Sequence, residues 1–418
     1  MKIAKVVGRE IYDARGWPTL ECEISLEDGS YVTASVPSGI SRGKHEAYEL
    51  RDSGQRMSGR GVLKAIDTIE SIIAPILIGQ EPNLVSLDLA MIELDGTANK
   101  SKLGANAMLA ASMAVLRAHA SVEGMEVYEL VGYLCEYSSV TLPFAMFNCI
   151  SGGAHSPGKV RIQEMMVIPI GSQSFRACME AAVLLHHHLY GLLKKKFNCV
   201  SISSEGALSA DFKNDAQALD MLMEAIEAVQ KTTSHRFLIS LDVAASQFYD
   251  RKTHKYDWDG KKSLTSADLI DLYERLIKEY PIFSIEDGLS EFDEKGWVAM
   301  MNQLDNVQLI GDDLFASNPN LIANGIELGL ATGAIIKPNQ VGTITEALQA
   351  IKLCKEYEFS CILSHRSCET NDTMIVDLAV GTSAGYIKAG GTARGEHLAK
   401  YNELLRIEDA LMLSILNS

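Results

Sequence analysis

With 418 residues, 47% of them hydrophobic and 22% charged, the chain has the make-up of a soluble globular protein of two or three domains, or fewer if one is a barrel. A formal net charge of −16 argues against a nucleic-acid or anionic-membrane surface, since both reward clustered Lys and Arg. An anionic small molecule can still bind where metal ions or a few buried bases reverse the local sign.

The opening stretch MKIAKVVGREIYDARG holds no apolar segment of signal-peptide length, and no uninterrupted apolar run of about 18 residues follows it. The cysteines at 22, 135, 149, 178, 199, 354, 361 and 368 form no CxxC pair. That spacing suits reduced thiols and a cytoplasmic location better than a disulfide framework or a zinc site.

In chain order, TLECEISL alternates Leu20, Cys22, Ile24 and Leu26 against polar neighbours, as a half-buried strand does. The turn EDGS and a second strand, YVTASV, complete a hairpin. Helical stretches follow, among them the alanine-rich segment 104–120, whose small residues suit close helix packing. These elements predict a small α+β domain over 1–137, with a weakly marked boundary in EYSSVTL and a second unit over 138–418.

Beyond the boundary, short β-branched runs alternate with helical segments: FLISLD, YPIFSIED, VQLIGDD, GAIIKPNQ, SCILSHRS and GYIKAGG. Their last polar residues are Asp242, Glu286, Asp312, Lys337, His365 and Lys388, in steps of 44, 26, 25, 28 and 23 residues. Most of these steps fit one strand, one helix and two loops, the rhythm of a parallel sheet. With PFAMFNCI and MMVIP ahead of them, there are enough strands to close a (β/α)8-type barrel. An open doubly wound sheet is the alternative.

In a parallel barrel all strand C-termini share one face, and active sites are built there. Three acids followed by Lys, His and Lys at equivalent strand ends therefore predict one polar mouth. Carboxylates converging without Cys or His form a hard oxygen site suited to magnesium or manganese. Side chains alternate along a strand, so only one of Asp312 and Asp313, and one of Glu286 and Asp287, is expected to point into the mouth. The other is expected to make supporting or loop contacts. Lys337, following an apolar run, should project into the same mouth; near metal ions and other cations its pKa is expected to fall, making it a base. A carboxylate-polarising metal with a lysine base is the pattern for removing a proton beside a carboxylate.

Two motifs point elsewhere and fail. GAHSPGKV fits GxxxxGK of a phosphate loop, but Val160 stands where Ser or Thr is needed, and RIQEMMVIP reads as a strand rather than a helix. His186, His187 and His188 lie in a helical pattern, where consecutive side chains fan out and cannot share one ion; one of them should pack inward.

The stretches SIEDGLSEFDEKGW, LIGDDLFASNP, IIKPNQVGTITE, SHRSCETND and AKYNELLRIEDAL resemble the enolases, as do REIYDARGWPTLECE, VPSGISRGKHEAYELRD, LDGTANKSKLGANA and GGAHSPGKVRIQEMMVIP nearer the N-terminus. This resemblance implies a C-terminal enolase-type (β/α)8 barrel, opening with two strands and two helices, preceded by the smaller α+β domain. It implies reversible, magnesium-dependent dehydration of 2-phosphoglycerate to phosphoenolpyruvate in glycolysis. Residue by residue, it implies Asp242, Glu286 and Asp312 as metal ligands, with a second magnesium arriving with substrate at Ser41. Lys337 would take the proton, Lys388 would stabilise the enediolate, and Glu205, with Glu164 and Gln163 nearby, would protonate the departing hydroxyl. His365, Arg366 and Ser367 would bind the carboxylate or phosphate end, and His155 would sit on a closing loop. A homodimer or an assembly of dimers is implied as well.

Several positions depart from the family's usual sequence: Ser203, Ser204 and Ala207 around Glu205, then Arg42, Ser151, Cys368 and Gln247. They motivate two alternatives. One is a related lyase acting on another phosphorylated or phosphono-carboxylic acid. The other is an inactive paralogue with a binding role.

Overall fold

The computed structural model describes residues 1–418 apart from 40–42, 138, 157, 173, 234, 259–262 and 418, with 414–417 described as backbone only. Strands β1 (Ile3–Tyr12), β2 (Pro18–Leu26) and β3 (Tyr31–Ser35) form an antiparallel sheet in that order. The alternation read along β2 is real: Leu20, Cys22, Ile24 and Leu26 are all buried. They pack under the helix Ala105–Glu123, which is the expected alanine-rich element. Strand β1 was not anticipated, because charged residues interrupt its apolar pattern, yet it pairs with the whole of β2.

The second unit is a closed barrel of eight strands: β4 (Phe144–Ser151), β5 (Glu164–Ile170), β8 (Arg236–Asp242), β12 (Ile282–Glu286), β13 (Gln308–Gly311), β14 (Gly333–Ile336), β15 (Ser360–Ser364) and β16 (Tyr386–Lys388). Pairing of β16 with β4 closes the ring and excludes the open sheet. Between β5 and β8 lie the helices Phe175–Lys196 and Asp215–Gln230, flanking a hairpin of β6 (Val200–Ile202) and β7 (Leu208–Ala210). A small peripheral sheet of β9 (Tyr249–Asp250), β10 (Lys255–Asp257) and β11 (Ser263–Leu264) follows β8.

Strand β5 runs antiparallel to both neighbours while the other barrel strands are parallel. No α-helix lies between β4 and β5 to carry the chain back across the barrel, so β5 returns in the opposite direction. This order of two strands and two helices is the one the resemblance implied.

Inside the barrel Met146, Met166, Ile168, Ile310, Ile335 and Ile362 form their own apolar cluster. The larger core lies between the strands and the surrounding helices and continues into the N-terminal domain. Of the three consecutive histidines, His186 is buried and its two successors are exposed. The GAHSPGKV stretch leads into strand β5, not into a helix.

The N-terminal domain sits on the mouth side of the barrel. Ser38 and Cys368 exchange two backbone hydrogen bonds, and the Ala14 amide donates to Glu369 O. Arg117 forms a two-pronged contact with Asp372 at 2.7 and 2.8 Å and also donates to Thr33 O. Breaking such a buried pair from one side costs about 3–5 kcal/mol, because the remaining charge is stranded. The expected domain boundary falls beside Ser138, which is outside the described residues. Among the described residues, no helix is long and apolar enough to cross a membrane.

Asp88, fully buried between the domains, accepts the Thr345 amide at 2.9 Å. Burial raises its carboxyl from 3.8 to about 6, against the opposing hydrogen bonds from Thr345 and Ser112. The folded state therefore holds this proton more tightly than the unfolded chain. The group's contribution to stability declines as pH rises from about 4 through about 6. Asp88→Asn should remove that decline, leaving the variant up to ~3 kcal/mol better off at pH 7 than at pH 4 relative to the parent. Urea denaturation of both proteins across this range measures it, and parallel pH profiles would refute it.

Candidate active site

The barrel brings the six expected strand-end residues to one rim. Glu164, Asp242 and Glu286 are direct neighbours in one row of the sheet. Ser364 pairs with Lys388 on the opposite arc. The period of two along each strand selects which acid faces inward: Ile310 and Ile335 belong to the interior cluster, so Asp312 and Lys337, two residues further on, continue the same face. Because β5 runs backwards, its first residue rather than its last reaches the mouth. Gln163 and Glu164 therefore line it with the strand ends.

Two ammonium groups sit among the acids. Lys388 Nζ lies 2.8 Å from both Glu286 oxygens, 3.0 Å from Glu164 Oε2 and 3.2 Å from Asp242 Oδ2. Lys337 Nζ contacts Asp312 Oδ2, and Gln340 donates to Asp312 Oδ1 at 3.1 Å. Burial, followed by Asp242 and Asp312, pushes the Glu286 carboxyl well above its ordinary range, with Lys388 pulling against them. Burial also opposes the Asp312 carboxylate, yet Lys337 and Lys388 hold its carboxyl below the ordinary value.

Lys337 was expected to titrate low near metal ions and other cations. Among the protein's own groups burial pulls it down, but the Asp312 carboxylate outweighs burial together with Arg366 and Lys388, and its pKa is raised. One expectation is corrected here. Asp313 was expected to point away from the mouth, yet it lines the same cavity as Asp312. Strand β13 ends at Gly311, so the alternation that would separate the two acids has already lapsed. Asp287 does behave as the supporting member of its pair, accepting the amides of Asp312 and Asp313 at 2.9 Å each.

The opposite wall carries Glu205. Its carboxylate lies 2.9 Å from His155 Nδ1, 3.3 Å from Asn148 Nδ2 and 3.7 Å from His365 Nε2. Glu164 is 3.5 Å from the same His155 nitrogen. Burial, then repulsion from Glu205, raises the Glu164 carboxyl. Against burial, His155, Glu164 and His365 keep the Glu205 carboxyl well below its usual range. Burial works against the His155 cation, but the two carboxylates carry its pKa up to about 10. The two glutamates are best treated as one coupled dyad, with the Glu164 carboxyl raised and the Glu205 carboxyl lowered.

The departures around this wall compensate one another. Ser203 Oγ accepts the amides of Glu205 and Ala207, each at 3.3 Å, and receives the Ser151 hydroxyl at 3.0 Å. Gln247 donates to Gln163 Oε1 at 2.6 Å, and Gln163 in turn lies 3.4 Å from Asp242 Oδ2. Gly206 is indispensable, having φ +80° and room for no Cβ, which would lie 2.4 Å from Ala393 O. Cys368 takes part through its backbone bridge to Ser38.

At the remaining edge Arg366 is buried and clasped by Glu46, at 3.0 Å (Nη1 to Oε2) and 3.2 Å (Nη2 to Oε1). His365 is anchored to Lys388 O by its backbone amide and by Nδ1, both at 2.8 Å, and Ser367 lines the cavity beside it. Ser41, expected at a second metal, and Arg42 lie outside the described residues. Sequence reasoning missed Glu46, Asn148 and Gln340. The period of two from Met146 could have found Asn148; nothing local marks the other two.

The cavity measures about 40 Å³, and Glu46, Glu164, Glu205, Asp242, Asp312 and Asp313 share its wall with His155, Lys337, Arg366 and Lys388. Divalent cations added there would favour an anion. Two groups also bring donor atoms within 4.8 Å of one another: Asp287, Asp312 and Asp313, and His155, Glu164 and Glu205. The expected ligands Asp242 and Glu286 share a single ammonium, which fills the gap between them. The expected ligands Asp242, Glu286 and Asp312 do not form one of these groups, but their oxygen donors, mutual repulsion and contacts to ammonium groups fit a hard divalent cation.

Comparison with known families agrees with this geometry. The model for the enolase C-terminal TIM barrel domain matches residues 139–415, and that for the enolase N-terminal domain matches residues 3–131. With both halves matched over nearly the full length and the barrel closed around an acidic mouth, the chain belongs to the enolase family.

Proposed function

We propose that the protein interconverts 2-phosphoglycerate and phosphoenolpyruvate, in the cytoplasm and as part of glycolysis. The observation that carries this reading is one small cavity lined by Lys337, Lys388, Asp242 and Asp312 together with Glu164 and Glu205, with Glu286 beside Asp242 on the same Lys388 ammonium. Asp242, Glu286 and Asp312 would hold magnesium, whose chemistry here is to neutralise the substrate carboxylate as negative charge develops on it. A second ion would enter with substrate beside Ser41.

With Asp312 holding a metal, its pull on Lys337 would weaken and burial would favour the neutral amine. Lys337 then accepts the proton from the carbon beside the carboxylate, giving an enediolate stabilised by the Lys388 ammonium. The dyad supplies the proton that leaves with the hydroxyl as water, and the carbon–carbon double bond forms. Glu205 is the member expected to deliver that proton, supplied across the shared site with Glu164. Arg366, with His365 and Ser367, would take the phosphate or carboxylate, displacing Glu46 from the guanidinium. A homodimer or assembly of dimers belongs to the same proposal, as does a domain division at 137/138.

The mutual support of Ser151 and Ser203 keeps Glu205 in place, which counts against an inactive paralogue. Appearance of phosphoenolpyruvate absorbance from 2-phosphoglycerate, dependent on magnesium and abolished by chelator, is the expected result. Silence there, with exchange of the proton beside the carboxylate of another phosphorylated acid, would transfer the reading to that substrate.

Lys337→Ala should lower both exchange and dehydration by at least ~10²-fold, whereas Glu205→Gln should slow dehydration by a similar factor and leave exchange largely intact. Isotope exchange and hydratase rates on the same preparations decide this. Equal losses in Glu205→Gln would remove the division of roles. Magnesium should also raise the melting temperature, and Asp242→Asn combined with Glu286→Gln should erase that shift. Retention of the full shift in the double variant would move the metal elsewhere.

A further inference from the structure

Besides the Ser151 and Ser203 hydroxyls, the loop carrying Glu205 is held by its backbone carbonyls, which find partners in one short stretch at the far end of the chain. Arg394 donates to Ile202 O at 2.9 Å through Nη2 and to Ser203 O at 3.2 Å through Nε. His397 Nε2 lies 3.2 Å from Ser204 O, and the Gly391 amide donates to Glu205 O at 2.7 Å. Four successive carbonyls are thus taken by residues 391–397.

His397 is fully buried, and its other nitrogen lies 2.9 Å from Ala389 O, next to Lys388. Its ring also meets His365 edge-on, with centroids 5.0 Å apart. A Cβ at Gly390 would strike this imidazole at 2.4 Å, so the backbone is shaped around it. Neither residue reaches the cavity, and no step of the proposed reaction uses either.

We propose that Arg394 and His397 are positioning residues: a clamp that fixes the 202–205 loop against the end of β16 and so aims the Glu205 carboxylate across the cavity. The proposal rests on the dehydration reading, which separates the proton removed by Lys337 from the proton delivered through Glu205. Burial and the neighbouring His365 bring the His397 pKa down to about 4. At neutral pH the ring therefore has a single N–H to divide between Ala389 O and Ser204 O. The contact that matters for Glu205 is the one from Nε2.

Amide side chains test that assignment, since Gln places its donor near Nε2 and Asn near Nδ1. In the magnesium-loaded enzyme, His397→Asn should slow dehydration by about 10²-fold, the usual cost of ångström-scale misplacement. Exchange of the substrate proton and KM should stay near parental values. His397→Gln should recover most of the dehydration rate, and Arg394→Ala should reproduce the Asn pattern. A parallel readout needs no turnover: the His155 titration followed by nuclear magnetic resonance, raised to about 10 by its glutamate neighbours, should fall toward the ordinary histidine range in His397→Asn. Equal loss of exchange and dehydration in a folded His397→Asn, or an unchanged His155 titration, would overturn the clamp. A parent enzyme silent in both rate assays would instead count against the dehydration reading, with the His155 titration still deciding the clamp.

Discussion

Like charges buried around one barrel mouth are the constraint from which the rest follows. Burying Asp242, Glu286 and Asp312 side by side is costly unless cations stand between them, and Lys388 and Lys337 do so. The arrangement is poised: positive charge is demanded by the carboxylates, and the two ammonium groups that meet the demand are the ones the proposed chemistry needs free. A divalent cation drawn in by the same acids would release them. A site acidic by itself would thereby become one able to receive the proposed anionic substrate.

The frame that keeps these groups close is assembled from distant parts of the chain. The N-terminal domain contributes Glu46, which occupies Arg366, and is seated by Arg117 on Asp372 and by the Ser38–Cys368 bridge. The C-terminal segment contributes the carbonyl partners of the Glu205 loop. Three of the positions that differ from the usual family sequence are joined to one another or to the site: Ser151 meets Ser203, and Gln247 orients Gln163.

Reading from sequence succeeded where one period governs both the pattern and the geometry. The alternation of β2 and the succession of strand ends follow from side chains switching faces at each residue, whereas Asp312 was chosen over Asp313 on the resemblance. It faltered where a strand stops. Asp313 shares the cavity with Asp312 because the strand ends at Gly311, and no local signal in LIGDD marks that point.

The sequence by itself determined the class of barrel, the ring of acids and bases at its strand ends, and the family. Those features are written in short-range periodicity and in motifs that stay intact along the chain. Only the tertiary structure decided which residues from far apart lie against them: Glu46 on Arg366, Asn148 beside Glu205, and His397 behind the 202–205 loop. Barrel closure brings residue 148 beside 205 and 397 beside 204. Electrostatic coupling and hydrogen bonding act over a few ångströms of space, to which separation along the chain is no guide.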